Sequence, residues 1–173
     1  LFCGCGGLSK GFEEAGFHVS GGFDNWEPAL VCYNNNFEHE AMKTDLTDIP
    51  LACRMIDAFS PEIIIGGPPC QDFSHAGKRE EGDRAELTIA FAKIVGTLRP
   101  KWFVMENVER TQKSETFKVA RTMFLKEGYG LHERIIDASF CGVPQKRKRF
   151  FCLGELDGSN DFLGDLMERN MSS

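Results

Sequence analysis

The chain has 173 residues, 42% of them hydrophobic and 27% charged, with a formal net charge of −6. These are the proportions of an ordinary globular domain with one sizeable core, and they exclude a uniformly basic nucleic-acid-binding surface and any apolar run long enough for a membrane span. Seven cysteines, an odd number without regular spacing, exclude a disulfide framework and fit a reducing, intracellular setting.

Leu1-Phe2 reads as the last residues of a strand, followed by the glycines of "FCGCGG". "LSKGFEEAGF" places Leu8, Phe12 and Ala15 at helical spacing, and Gly16 suits a helix C-terminus. His18 to Phe23 is predicted as a second strand, "EPALVCYNNNF" as a helix with Pro28 in its first turn, and Ala41 to Asp45 as a short strand. Ile63 to Ile65, uniformly β-branched, predicts a buried strand. Residues Gln71 to Asp83 are polar without periodicity and read as a mobile loop. "ELTIAFAKIVGTL" aligns Leu87, Phe91, Ile94, Val95 and Leu98 on one helical face. Then come a strand "WFVMEN" ending at Glu106, a helix over Thr116 to Glu127, a strand over Leu131 to Ile136, and a final strand "RFFCLGEL".

Strands alternating with helices argue for an α/β fold around a mostly parallel sheet with helices on both faces. Ligands of such sheets gather at the carboxyl ends of the strands. The glycine loop, Asp24, Asp45, Cys70 and Glu106 each follow a predicted strand, so they are expected along one edge.

The glycine loop lets backbone approach a ligand, but its spacing is tighter than the dinucleotide fingerprint. Asp24 stands where a carboxylate accepts from ribose hydroxyls, and it is equally placed to cap the following helix. Asp45 suits an adenine amino group or an ordinary turn. Together they describe a nucleoside site without a phosphate loop. Cys3 and Cys5 lie too close for a conventional zinc pair and lack companion ligands, so no metal is expected.

Cys70 follows "IIIGGPP", a strand and a stiffened turn. Free cysteines are commonly inert core filling, the reading given to Cys32, Cys53, Cys141 and Cys152. Cys70 differs because prolines restrict its approach and a polar loop follows it, which suits a nucleophilic thiolate. Glu106 leaves an apolar strand, where partial desolvation favours a protonated carboxyl. Such a carboxyl can hand a proton to a ring nitrogen while sulfur adds to a neighbouring carbon. Against the net negative charge stands the basic run "QKRKR", Gln145 to Arg149, with a thinner patch at Lys78, Arg79 and Arg84. Arg147 and Arg149 share one side of a strand, whereas Lys146 and Lys148 face the other; a solvated basic edge is the plain alternative.

With these residues in view, the sequence resembles the cytosine-C5 DNA methyltransferases that use S-adenosylmethionine. Four motifs carry the likeness in the family's order: "FCGCGG", "GPPCQDFS", "ENV" at Glu106 to Val108, and "QKRKR". The resemblance implies a Rossmann-like methyltransferase fold, incomplete at both ends. It spans a truncated catalytic domain over 1–156, with an acidic segment, 157–173, leading toward an absent target-recognition region. It implies Cys70 as the nucleophile on cytosine C6 and Glu106 as the contact to N3 and the amine. Arg147 faces the base carbonyl with Arg149 beside it, and Asn107 holds the cysteine loop. Phe2, Gly4, Cys5, Gly6, Gly7, Asp24, Asn25, Asp45, Leu46, Pro69 and Leu87 are the implied cofactor contacts. Ser74, Arg84 and Gln145 are the implied DNA contacts.

The expected partners are double-stranded DNA with the cytosine flipped out and a complementary subunit or segment, with no membrane. The expected setting is a restriction-modification system in a bacterial or phage-infected cytoplasm, or a nucleus in a eukaryote. The same residues also fit the tRNA-methylating branch of the family, or a non-catalytic subunit that binds cofactor or partner.

Overall fold

The computed structural model describes residues 1–69 and 81–164, with the backbone alone for 81–85. In chain order its elements are α1 (Gly7–Glu14), β1 (Gly22–Asp24), α2 (Glu27–Asn34), β2 (Ala41–Lys43), α3 (Ile49–Asp57), β3 (Ile63–Gly66), α4 (Glu81–Leu98), β4 (Trp102–Val108), α5 (Glu115–Lys126), β5 (Tyr129–Asp137) and β6 (Lys148–Leu156). Short 3-10 turns follow β4 (Glu109–Lys113) and β5 (Ala138–Cys141).

Local chemistry accounts for the helix ends. Asp48 accepts from the Leu51 amide at the start of α3, with Pro50 in the first turn. Ser114 accepts from the Phe117 amide at the start of α5. Both are side-chain caps that satisfy amides otherwise left without a partner. Gly16, just past α1, takes the left-handed conformation expected of it (φ 89°).

β1 and β2 pair in parallel, and the larger sheet has the order β3-β4-β6-β5. Leu1 to Cys3 joins the two: the Leu1 amino group donates to Ile65 O (2.6 Å) and the Cys3 amide to Phe23 O (3.2 Å). This is the strand-like role expected of Leu1-Phe2. The α/β, Rossmann-like expectation holds, but the sheet is mixed rather than mostly parallel. β3 and β4 are parallel, whereas β6 runs antiparallel to both β4 and β5. The connection over 138–147 is too short to carry the crossover that a parallel β5–β6 pair would need.

Burial alternates strictly along β4, with Phe103, Met105 and Asn107 inward. Helices α4 and α5 cover that face. Phe103 stacks on Phe124 (centroids 4.2 Å apart) and meets Phe91 edge-on, while Phe117 packs edge-on against Phe150. Residues 157–164 fold back on the sheet: Asp161 N donates to Leu131 O, Leu131 N donates to Asn160 Oδ1, and Phe162 lies against Trp102.

Three expectations change. The second strand begins at Gly22, not His18. Of the polar stretch 71–83, residues 71–80 lie outside the described residues, and α4 has already begun at Glu81. Helix α3 occupies a stretch to which the sequence reading assigned no element.

Candidate active site

The parallel pairing of β3 with β4 sets Gly66 opposite Met105, so Gly67 comes beside Glu106. A Cβ on Gly67 would lie 3.2 Å from Glu106 Oε2, tighter than ordinary contact, so glycine there lets the carboxylate rest over the turn that leads to Cys70. The next residue, Asn107, is buried; its Nδ2 donates to Pro68 O at 2.9 Å, and its Oδ1 accepts from the Val108 amide at 2.8 Å. One strand therefore delivers a carboxylate to the mouth of the turn and an amide clamp to its backbone. Removing the clamp with Asn107→Ala leaves the Pro68 carbonyl without that donor. The expected loss is about 1–3 kcal/mol of stability, read from denaturant unfolding.

β6 brings the third component. Arg149 lies opposite Val108, diagonal to Glu106 on the same face, and its Nε sits 2.9 Å from Glu106 Oε1. Lys148 turns the other way, toward Glu109 (4.0 Å). The alternation expected of the basic run therefore holds at these two residues. About a quarter of the Glu106 side chain is exposed, in keeping with the partial desolvation expected of it, and the guanidinium that faces it is an addition to that expectation.

Arg147 precedes β6 and is exposed. Its backbone is placed by Asp137, which the sequence reading missed. Asp137 Oδ1 accepts from the Ser139 amide (3.1 Å), the Ser139 hydroxyl (2.9 Å) and the Arg147 amide (3.1 Å). These donors, Ser139 foremost, hold the Asp137 carboxyl below its usual range. A depressed carboxyl contributes stability that is present above the ordinary aspartate range, near pH 4, and is lost as pH falls through the lowered value. Asp137→Asn is therefore expected to flatten the acid limb of thermal stability below about pH 4 while the wild-type chain loses stability there.

At the other end of the edge stands the glycine loop. Gly4 and Gly6 hold φ of 52° and 96°, and Phe2 holds 52°, a conformation that costs a bulky residue energy. Nothing in the composition of "FCGCGG" signals that strain. Asp24 ties the loop down: Oδ2 accepts from Gly4 N (2.9 Å), and Oδ1 accepts from the Asn25 and Trp26 amides (2.8 and 2.9 Å). Of roughly four acceptor sites on a carboxylate, these use three. Asn25 is exposed, as is the Trp26 ring beside it. Gly6 caps α1 without a side-chain acceptor, so the first amides of the helix face the loop.

Asp45 lies beyond β2 and is exposed. Thr47 donates to its Oδ1 from both hydroxyl (2.7 Å) and amide (2.9 Å), and these bonds hold the carboxyl below its usual range. The Leu46 side chain is buried in the core, so what it offers outward is backbone. Pro69 and Gln145 are exposed and Leu87 is half-buried. Cys70 and Ser74 lie outside the described residues, as does the side chain of Arg84. Among the described residues no cluster of three or more His, Cys, Asp or Glu could hold a metal ion, and no helix is long and apolar enough to cross a membrane.

The structure thus brings Glu106, Asn107 and Arg149 together at the Gly67–Pro69 turn, and Asp24 to the glycine loop. The family model for C-5 cytosine-specific DNA methylases matches residues 1–172. The chain belongs to that family. Among curated relatives of this methylase chain, the Type II methyltransferase M.HindV of Haemophilus influenzae is 51% identical over 99% of the chain and 57% of its own length. M.HgiDI of Herpetosiphon aurantiacus is 50% identical over 99% of the chain and 56% of its own length. The chain therefore spans a little over half the length of these two relatives. The solved structure of the S. pombe Dnmt2 methyltransferase superposes with a TM-score of 0.80 at 22% identity, over 97% of this chain and 52% of that one, which shows the shared fold. The Entamoeba histolytica methyltransferase EhMeth superposes with a TM-score of 0.75 at 26% identity, over 90% and 51%.

Proposed function

We propose that this methylase chain is the cofactor-binding and catalytic portion of a DNA (cytosine-5)-methyltransferase acting through a covalent adduct at Cys70. The observation that carries the reading is the convergence of Glu106, Asn107 and Arg149 on the turn that leads into Cys70. A carboxyl, a guanidinium that orients it and a braced turn ahead of a thiol are among the parts that addition to a heteroaromatic ring requires.

The glycine loop and Asp24 suit S-adenosylmethionine. Two left-handed glycines open the backbone, the α1 amides lack a side-chain cap, and Asp24 retains acceptor capacity for a ribose hydroxyl. Phe2, Gly4, Cys5, Gly6 and Gly7 would line the loop side, and Asn25, Asp45, Leu46, Pro69 and Leu87 the remainder. When bound, the cofactor supplies an electrophilic methyl group on a sulfonium.

The chain's own residues do the rest. Cys70 sulfur adds to C6 of a flipped cytosine while Glu106 delivers a proton to N3; the π pair of C5=C6 shifts to C4–C5 as the C4=N3 pair takes that proton, and C5 becomes a nucleophilic enamine carbon. Arg147 binds the base carbonyl, and Arg149 orients Glu106 through the 2.9 Å contact. After methyl transfer a base removes the C5 proton and the thiol leaves. Ser74, Arg84 and Gln145 contact the DNA, and closure over the base excludes water.

Reading of the target sequence, and full DNA affinity, come in this proposal from a segment or partner subunit equivalent to the relatives' remaining length, in a restriction-modification setting. That suits an acidic chain. The Dnmt2 likeness, at 22% identity, speaks to fold alone.

Calorimetric titration of S-adenosylmethionine into the chain, with and without the relatives' C-terminal portion, tests the reading. Binding with either preparation supports it, and absence of binding in both overturns it. Asp24→Ala should weaken that binding by about 10- to 100-fold, the loss of a hydrogen bond to a charged group together with the anchor on Gly4.

A further inference from the structure

β5 and β6 are joined by a hairpin over 138–147, just past the end of β4 that carries Glu106. Its backbone is held at several points. The Ala138 amide donates to Arg147 O (3.0 Å), the Val143 amide to Ala138 O (3.2 Å) and the Gln145 amide to Val143 O (2.7 Å), and Gly142 turns the chain at φ 80°. Yet this fixed loop presents an apolar tip. Phe140 is 85% exposed and Val143 44%, whereas Phe91, Phe103, Phe117, Phe124 and Phe150 are buried in the core. The stretch 138–149 also holds four cations, Lys146 to Arg149, and no carboxylate, in a chain whose net charge is −6. Phe140 and Arg147 are placed by one atom. Asp137 Oδ1 accepts from the amide of Ser139, the residue before Phe140, and from the Arg147 amide, each at 3.1 Å. The exposed ring therefore stands at the rim of the candidate site.

We propose that Phe140 is a DNA contact whose ring stacks on a base beside the extruded cytosine, with Lys146 on a neighbouring phosphate. Extrusion of one base leaves its neighbours with an uncovered face. Such a face accepts an aromatic ring whatever the base, and cations around the ring serve the backbone. A loop already ordered by its own hydrogen bonds loses little further freedom on docking. The cations also decide between partners. Charged residues are depleted from the centres of protein interfaces, so a ring set among them suits a phosphate-bearing partner better than an apolar protein surface. The placement beside the cytosine rests on the function proposed above, which puts Arg147 on that base.

Phe140→Ala should weaken duplex binding by about 5- to 150-fold, the scale on which one base–aromatic stack is felt. The slope of affinity against salt should stay as in the parent, because a stacked ring releases no counterions. Lys146→Ala should instead lower that slope by about 0.9, the loss of one phosphate contact. Phe140→Trp keeps a π-face and should bind at least as well as the parent. The exposure of the ring means that Phe140→Ala leaves thermal unfolding and S-adenosylmethionine binding where they are.

The test combines the chain and the relatives' C-terminal portion with a short duplex in which one cytosine stands opposite an abasic site, a defect that lowers the cost of extrusion. The bases on either side of that cytosine are replaced by 5-iodouracil. Binding is read by fluorescence anisotropy over a range of salt, and irradiated complexes are mapped as tryptic peptides. The expected cross-link lies in peptide 135–146, with fragment ions placing it on Phe140 rather than Cys141. The expected binding loss in Phe140→Ala comes at unchanged salt slope and melting temperature. A parent that binds the duplex but cross-links elsewhere, or a Phe140→Ala variant that binds it as the parent does, overturns the proposal and leaves the methyltransferase reading standing. A Phe140→Ala defect in the association of the chain with the C-terminal portion, with no change in DNA affinity, makes the tip a protein seat and overturns it too. A parent without duplex affinity overturns it as well, and one that also fails to bind S-adenosylmethionine takes the methyltransferase reading with it.

Discussion

Cys70→Ala is expected to abolish methyl transfer to cytosine, by roughly 10⁴-fold or more, the scale on which removal of a covalent nucleophile is felt. Without the sulfur, C5 is never made nucleophilic, and no positioning of the base or of the methyl donor replaces that step. Cofactor binding should survive, because the glycine loop and Asp24 lie on other segments and, among the described residues, make none of their hydrogen bonds to the Gly67–Pro69 turn. The measurement pairs methyl incorporation into duplex DNA with calorimetric binding, using the chain supplemented with the relatives' C-terminal portion. Loss of both activities together would indicate a folding defect rather than loss of a nucleophile.

Glu106→Gln is the second large effect. The amide keeps the shape of the carboxyl and can still contact N3, but it cannot deliver a proton. Proton transfer from a positioned side chain is worth about 10²–10⁴-fold, and the variant should lose that much in kcat. It also deletes the ion pair with Arg149, freeing the guanidinium. Substrate affinity should therefore change far less than turnover, and the two are separated by measuring kcat and KM independently. An equal loss in both would mean that Glu106 mainly binds the base.

Much of this arrangement was legible in the residues themselves. Ile63–Ile65 and "WFVMEN" carry the β-branched and alternating patterns that make the parallel pair β3 and β4, and parallel strands in an α/β chain lead one to expect Cys70 and Glu106 at one edge. What stayed hidden was hidden for physical reasons. Periodicity reports which side of a strand is buried, not the direction of its neighbour, so the antiparallel placement of β6 could not be read from "RFFCLGEL". The first turn of α4, over 81–85, has Ala85 alone as an apolar residue ahead of Leu87, too little to mark a helical face, so the loop reading of Gln71 to Asp83 runs into it. Helix α3 carries its own signals, Asp48 as cap, Pro50 in the first turn and buried Ala52, Cys53 and Ile56 at helical spacing.

Within the site, the resemblance implies Asn107 as the holder of the cysteine loop; what the structure describes is its bond to the Pro68 carbonyl. Asp137 was not foreseen, because its partners, Ser139 and Arg147, meet it only through a turn whose shape is set by the β5–β6 pairing. Residues that work alone at a strand end leave a trace in the sequence; residues that work as partners across the fold do not.

The most direct test of the central claim is covalent capture. Duplex DNA carrying 5-fluorocytosine at the target, incubated with S-adenosylmethionine and the chain together with the relatives' C-terminal portion, should yield a complex that survives denaturation, because fluorine at C5 blocks the elimination that would release the thiol. Peptide mass mapping is predicted to place the modified cytosine on Cys70 and to find no complex with Cys70→Ala. Attachment at another cysteine, or methylation of ordinary cytosine by a chain that forms no such complex, would contradict the account.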